Sequence, residues 1–150
     1  MVKLEIGDRT PEFTLSSSAG EKISLSQFHG KKKAVIFFYP MDESPVCSRE
    51  AEAFRNKNSV FKELNTVVIG ISSQSVESHK SFAARHNLPF ILLSDNENKV
   101  RRLYGVSTTL GVVPGRVTYV IDKEGIIKSI YSSQLHPAKH ANEALRALKS

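Results

Sequence analysis

The run from Lys33 to Tyr39 constrains the fold more than any other part of the chain. Its members are almost all β-branched or aromatic, and apolar positions do not alternate with polar ones. A strand with one wet face alternates; an unbroken apolar run implies a strand covered on both faces. Such a strand belongs at the centre of a sheet with helices on either side. Pro40 ends it, because proline has no N–H to give to a ladder. A short polar loop, Met41-Asp42-Glu43, then leads to Ser44-Pro45-Val46-Cys47, and Cys47 is the only cysteine of the chain.

The remaining elements fall into order around that strand. Phe13-Thr14-Leu15 and Lys22-Ile23-Ser24-Leu25 form an N-terminal β-hairpin, and Ser26-Gln27-Phe28 is a helical turn closed by Gly30. Ser44 to Leu64 is a helix that bends near residues 55–59. Cys47, Ala51, Phe54, Phe61 and Leu64 lie near one face, with Arg49, Glu50, Lys57 and Lys62 largely elsewhere. Residues 66–72 are a second buried strand, Ser75–Asn87 a helix, and Phe90–Leu93 a third strand. A short helix over Asn96–Tyr104 is capped by Gly105, and residues 107–115 are a loop without periodicity. Val117–Ile121 and Ile126–Tyr131 are joined by the turn Asp122-Lys123-Glu124-Gly125. His136-Pro137 opens a last helix with Ala141, Ala144, Leu145 and Leu148 as its apolar stripe. The order predicts an α/β fold: a mixed central sheet flanked by helices, in one domain over residues 1–150.

Composition narrows the class. Lys and Arg exceed Asp and Glu by 21 − 15 = 6. The basic residues are scattered, with Lys31-Lys32-Lys33 and Arg101-Arg102 the densest runs, so they read as solvated surface charge with no nucleic-acid partner. One cysteine excludes an internal disulfide and any Cys-x-x-Cys redox or zinc site. His136 and His140 stand four apart, but no further metal ligand has a suitable spacing. No apolar run reaches the ~20 residues of a membrane span. The opening residues Met-Val-Lys-Leu-Glu-Ile-Gly-Asp lack an apolar leader core. The expectation is a cytoplasmic protein or, for a mature chain whose transit peptide is gone, a plastid one.

Cys47 carries the chemistry. Ser44 is a good N-cap and Pro45 suits the first helical position, which puts Cys47 at the third. Free N–H groups and the positive end of the helix dipole favour an anion there, hence the thiolate. A lone cysteine is in general a small buried hydrophobe. This one follows a central strand at its carboxyl end, where open α/β sheets place their sites. Asp42 and Glu43 read as exposed loop charges.

Pro40-Met41-Asp42-Glu43-Ser44-Pro45-Val46-Cys47 resembles the Pro-x-x-x-Thr/Ser-x-x-Cys signature of the peroxiredoxins. The stretches 37–40, 49–51, 54–55, 92–95, 115–120 and Gly7-Asp8-x-x-Pro11-x-Phe13-x-Leu15 resemble the Q-type branch, the bacterioferritin comigratory proteins. The resemblance implies a thioredoxin-like fold and reduction of hydroperoxides with no metal or organic cofactor. It makes Cys47 the peroxidatic cysteine, Ser44 a hydrogen-bond donor to the peroxide, Arg116 the guanidinium beside the thiolate, and Pro40 a shield against water. It also implies a monomer. Many Q-type members carry a resolving cysteine five residues after the first; Glu52 stands there instead. An external thiol (thioredoxin, glutaredoxin or glutathione) is then needed to reduce an oxidised Cys47. Val46 replaces the usual glycine and adds bulk beside the thiol.

Two other readings stay open on residues alone. A cysteine hydrolase or transferase needs a histidine base beside Cys47, with His29, His79, His86, His136 and His140 available. A redox sensor or holdase on the same fold needs the reactive thiol but no turnover.

Overall fold

The structure is a computed structural model and describes residues 4–106, 108–109 and 113–149. Strands β1 (Thr14–Ser17) and β2 (Lys22–Ser24) form the N-terminal hairpin, followed by a 3-10 turn at Leu25–Phe28 and the central strand β3 (Lys33–Phe38). Helices α1 (Pro45–Asn56) and α2 (Asn58–Glu63) come next, separated at Lys57, inside the expected bend. Then come β4 (Thr66–Ser72), α3 (Val76–His86), β5 (Ile91–Ser94) and α4 (Lys99–Leu103). Two-residue strands β6 (Thr108–Thr109) and β7 (Val113–Pro114) precede β8 (Val117–Ile121), β9 (Ile127–Ser132) and α5 (Pro137–Lys149).

Seven strands form one mixed sheet in the order β2-β1-β5-β4-β3-β8-β9. β3 pairs parallel with β4 and antiparallel with β8, so it is central. Its side chains divide between two cores. Ala34, Ile36 and Phe38 face a core with Leu25, Val100, Tyr104 and Tyr119. Val35, Phe37 and Tyr39 face a second core with Phe54, Phe61, Phe82 and Ala141. Burial on both faces is why the run does not alternate. The last ladder bond runs from Tyr39 N–H to the Ile71 carbonyl, and Pro40 follows it.

Position 70 sets how α1 sits on the sheet. A Cβ on Gly70 would lie 2.7 Å from the Phe37 ring and 2.8 Å from Leu92 Cδ2. Glycine leaves that space to Phe37, which stacks on Phe54 of α1 with ring centroids 4.4 Å apart. That stack seats α1 against the second core, with Cys47 in its first turn.

Several expectations need correction. The expected loop over 107–115 falls partly outside the described residues; within them, Thr108–Thr109 pairs antiparallel with Val113–Pro114. Glu50 was placed off the apolar face of its helix but has no exposed surface, because it lies one turn after Cys47, on the side turned toward α5 and β8. Asp42, read as an exposed loop charge, is 6% exposed, while Glu43 is exposed. Arg101 is buried under the sheet rather than solvated. Among the described residues no cluster of three metal-ligating side chains occurs, and no helix is long and apolar enough to cross a membrane.

Candidate active site

Cys47 sits at the third position of α1, as the helix-start signals require. The Ser44 hydroxyl oxygen accepts from the Cys47 N–H at 3.2 Å, and Pro45 occupies the first helical position. Cys47 is 1% exposed. Arg116, just ahead of β8, reaches across from the neighbouring strand. Its Nη2 donates to Cys47 Sγ at 3.2 Å, and its Nη1 donates to Glu50 Oε1 at 2.5 Å. One guanidinium thus bridges a sulfur and a carboxylate that are a helical turn apart. Burial opposes the charge of Arg116, but Glu50 and Cys47 together hold its pKa above the ordinary value.

The four residues expected at the site have different fates. Cys47, Ser44 and Arg116 converge within hydrogen-bond distance of one another or of a shared group. Pro40 lies half-buried where β3 ends, and no hydrogen bond ties it to the other three.

Sequence reasoning missed three supports. The first is Arg101 on α4. Its Nη1 donates to the Gly115 carbonyl at 2.9 Å and its Nη2 to the Tyr39 carbonyl at 3.1 Å. It therefore ties the residue before Arg116 to the residue before Pro40. Asp95 orients it by accepting from the Arg101 N–H at 2.9 Å, and the guanidinium lies 5.8 Å from the Phe38 ring centroid.

The second support holds the loop between Pro40 and Ser44. Asp42 accepts from the Tyr39 hydroxyl at 2.7 Å, from the Ser78 hydroxyl at 2.7 Å, and from His79 Nδ1 at 2.7 Å. Its own N–H donates to Gln74 Oε1 at 2.5 Å. Burial alone would raise the Asp42 carboxyl; the bonds from His79, Ser78 and Tyr39 outweigh it and hold the carboxyl below its ordinary value. His79 Nε2 donates to the Leu93 carbonyl at 2.9 Å. Both ring nitrogens face acceptors, so both are donors and the ring is an imidazolium.

The third support is Glu50 itself with His140 and Thr118. Thr118 Oγ1 donates to His140 Nδ1 at 2.7 Å, and His140 Nε2 donates to the Ser133 carbonyl at 2.8 Å. Burial lowers His140 to about 4, and the nearby Arg116 charge lowers it too, so this imidazole is neutral. Burial raises Glu50 to about 7 although Arg116 pulls the other way. Among the described residues, Glu50 Oε2 and Arg116 Nε are buried without a hydrogen-bond partner. The signal that could have found Glu50 is its spacing of three from Cys47, which shares a helix face.

Glu52, at the position of the second cysteine in many Q-type sequences, makes a hydrogen-bonding contact with His86 instead. Its Oε2 lies 3.0 Å from His86 Nδ1, and Glu43 Oε1 lies 3.2 Å from His86 Nε2. The end of α3 is thereby joined to both the 40–44 loop and α1.

Comparison with known proteins gives the family and the fold. Residues 6–130 match the model of the AhpC/TSA family. The chain is 48% identical over 149 residues to the chloroplastic peroxiredoxin Q of Sedum lineare, covering 99% of this chain and 80% of the relative. It is 46% identical to that of Populus jackii, covering 99% and 70%. Among solved structures it is similar to the peroxidoxin BcpB of Mycobacterium tuberculosis, with TM-score 0.90 and 32% identity over 97% of both chains. The peroxiredoxin Q of Xanthomonas campestris superposes with TM-score 0.84 at 30% identity, covering 91% of this chain and 89% of that one.

Proposed function

The chain belongs to the AhpC/TSA family as a thiol peroxidase of the peroxiredoxin Q type, and from that premise we propose how its own residues run the cycle. The observation that carries the proposal is the Arg116 guanidinium 3.2 Å from the sulfur of the only cysteine, at a capped helix start. The Cys47 thiolate attacks the terminal oxygen of a hydroperoxide. The S–O bond forms, the O–O bond breaks, and water or an alcohol leaves after taking a proton. Arg116 and the N–H groups of the first helical turn stabilise negative charge as it moves from sulfur to the leaving oxygen. The Ser44 hydroxyl hydrogen is placed to donate to the bound peroxide. Pro40 closes the loop side of the site to water.

Recycling must come from outside the chain, because Glu52 stands where a second sulfur would be. One external thiol displaces water from the Cys47 sulfenic acid to give a mixed disulfide, and a second releases Cys47 as the thiol. Thioredoxin, glutaredoxin and glutathione are the candidate reductants for a monomer acting as one domain over residues 1–150. The relatives named as chloroplastic support a plastid setting over the cytoplasmic one first expected.

One equivalent of hydrogen peroxide, followed by dimedone and mass analysis, tests the first step. Cys47 should gain one dimedone adduct and Cys47→Ser none; an unmodified thiol would sink the proposal. Steady peroxide consumption with one of the three reductants should follow. Near-complete burial of Cys47 favours a second reading, a sensor that is oxidised once and not turned over. Sulfenic acid formation without turnover would select it.

A further inference from the structure

The buried carboxyl next to Arg116 has no task in the cycle above. We propose that Glu50 holds the counter-proton of the peroxidatic thiolate: Glu50 is a carboxylic acid while Cys47 is a thiolate, and becomes a carboxylate when the sulfur turns into a neutral sulfenic acid. The proposal rests on the peroxidase reading and adds a positioning residue to it.

The geometry leads there in two steps. First, Arg116 offers a single positive charge to two groups, Cys47 Sγ through Nη2 and Glu50 Oε1 through Nη1. Two full anions on one buried guanidinium leave a net negative charge among side chains that are all at most 3% exposed, which is costly. A single proton on one of the two groups removes that cost. Second, the free oxygen of Glu50 is set to carry it. Oε2 has no hydrogen-bond partner and lies 3.4 Å from His140 Nδ1. That nitrogen carries no proton, since Nε2 is the one that donates to the Ser133 carbonyl, and its lone pair already accepts from the Thr118 hydroxyl. A carboxylate oxygen facing an imidazole lone pair is repulsive. A proton on Oε2 removes the negative charge and with it that repulsion.

The charged and titratable groups around Glu50 are few. Cys47 lies on its own helix, Arg116 precedes β8, and His140 comes from α5. Arg101, from α4, acts on both Arg116 and Cys47 at longer range. Burial pushes Glu50 up to about 7, within reach of neutral solution. The Tyr131 ring packs edge-on against His140, at 4.7 Å between centroids, and holds the imidazole in place.

The step balances. Thiolate, Glu50 carboxylic acid and hydroperoxide go to sulfenic acid, Glu50 carboxylate and alcohol or water. Sulfur loses two electrons, the peroxide O–O bond takes them, and the leaving oxygen gains one proton while Glu50 loses one. The reaction then draws no net proton from solution. A protein with glutamine at position 50 must draw one for each thiolate oxidised.

Infrared difference spectra of the wild-type protein provide the test, with isotope-labelled glutamate to separate Glu from Asp signals. They are recorded slightly below neutral pH before and after one equivalent of hydrogen peroxide. A protonated glutamate carbonyl band should disappear and a carboxylate band appear, about one per sulfenic acid formed. An indicator dye should show almost no proton uptake by the wild type and about one proton per sulfenic acid for Glu50→Gln. Dimedone labelling of the same samples counts the sulfenic acid. If none forms, the peroxidase reading fails. If it forms while the glutamate bands stay unchanged, this proposal is overturned and the peroxidase reading stands. The infrared result needs no variant, so a poorly folded Glu50→Gln protein leaves the decision intact.

Discussion

Two buried carboxylate–histidine pairs flank Cys47, and they settle their proton in opposite ways. In Asp42–His79 the proton is on the ring, and the carboxyl stays ionised with three donors around it. In Glu50–His140 the ring is neutral and the carboxyl is raised to about 7. Both rings use Nε2 to donate to a backbone carbonyl, so the far side does not decide. The near side does. Asp42 has hydroxyl donors and no cation besides His79. Glu50 has Arg116, whose charge repels a second cation at His140, while Thr118 already donates to Nδ1. A carboxyl and an imidazole thus make a charged latch for the loop in one place and a proton-holding site in the other.

The largest expected effect separates the latch from the proton site. Asp42→Asn leaves the buried His79 imidazolium without its counter-ion and should cost about 3 kcal/mol or more of stability. Glu50→Gln keeps shape and mimics the neutral acid, so it should cost only about 1 kcal/mol. Urea unfolding of both variants at neutral pH measures the contrast; equal losses would break the comparison.

The pH dependence of stability comes next, and its sign follows from the shifts. Glu50 rises from 4.5 to about 7 on folding, so its contribution is present below 4.5 and is lost as pH rises to about 7. His140 falls from 6.5 to about 4, so its penalty grows as pH falls from 6.5 to about 4. Between 4.5 and 6.5 the two slopes oppose each other, because folding in effect moves a proton from His140 to Glu50. His140→Asn removes one side. That variant should lose about 3 kcal/mol of stability between about pH 4.5 and 7, relative to a nearly flat contribution from the intact pair. Asp42 behaves in the opposite sense: its stabilisation is full above its ordinary 3.8 and is lost in stronger acid.

The smallest effect tests the donor at Nδ1. Thr118→Val removes the hydroxyl that occupies the His140 lone pair and should cost about 1 kcal/mol. Thermal unfolding reads it. A loss several times larger would mean that Thr118 holds more of the site than this one bond.

How much of this was legible in the chain differs from residue to residue. Lys33–Tyr39 announced a central strand because burial on both faces removes alternation. Ser44, Pro45 and Cys47 announced a helix start because capping is a local matter of N–H groups within one turn. The bend near residues 55–59 and the helix from Ser75 to Asn87 were readable because helix-forming tendency and helix stops are also local. Arg116 was placed at the site by its family motif rather than by any physical signal, and Arg101 and Asp42 were read as surface charges. Composition and spacing carry no information on which charges the packing will bury.

By itself, the sequence determined the strand–helix order, the capped cysteine, and the need for an outside thiol, since Glu52 offers no sulfur. Each is a property of neighbours in the chain or of residue identity. Only the tertiary structure decided which partners surround each buried charge. Arg116 meets Glu50 across 66 residues and His79 meets Asp42 across 37. A proton's position depends on the donors and charges within a few ångströms in space, and those are brought together only when the sheet forms and the helices pack on it.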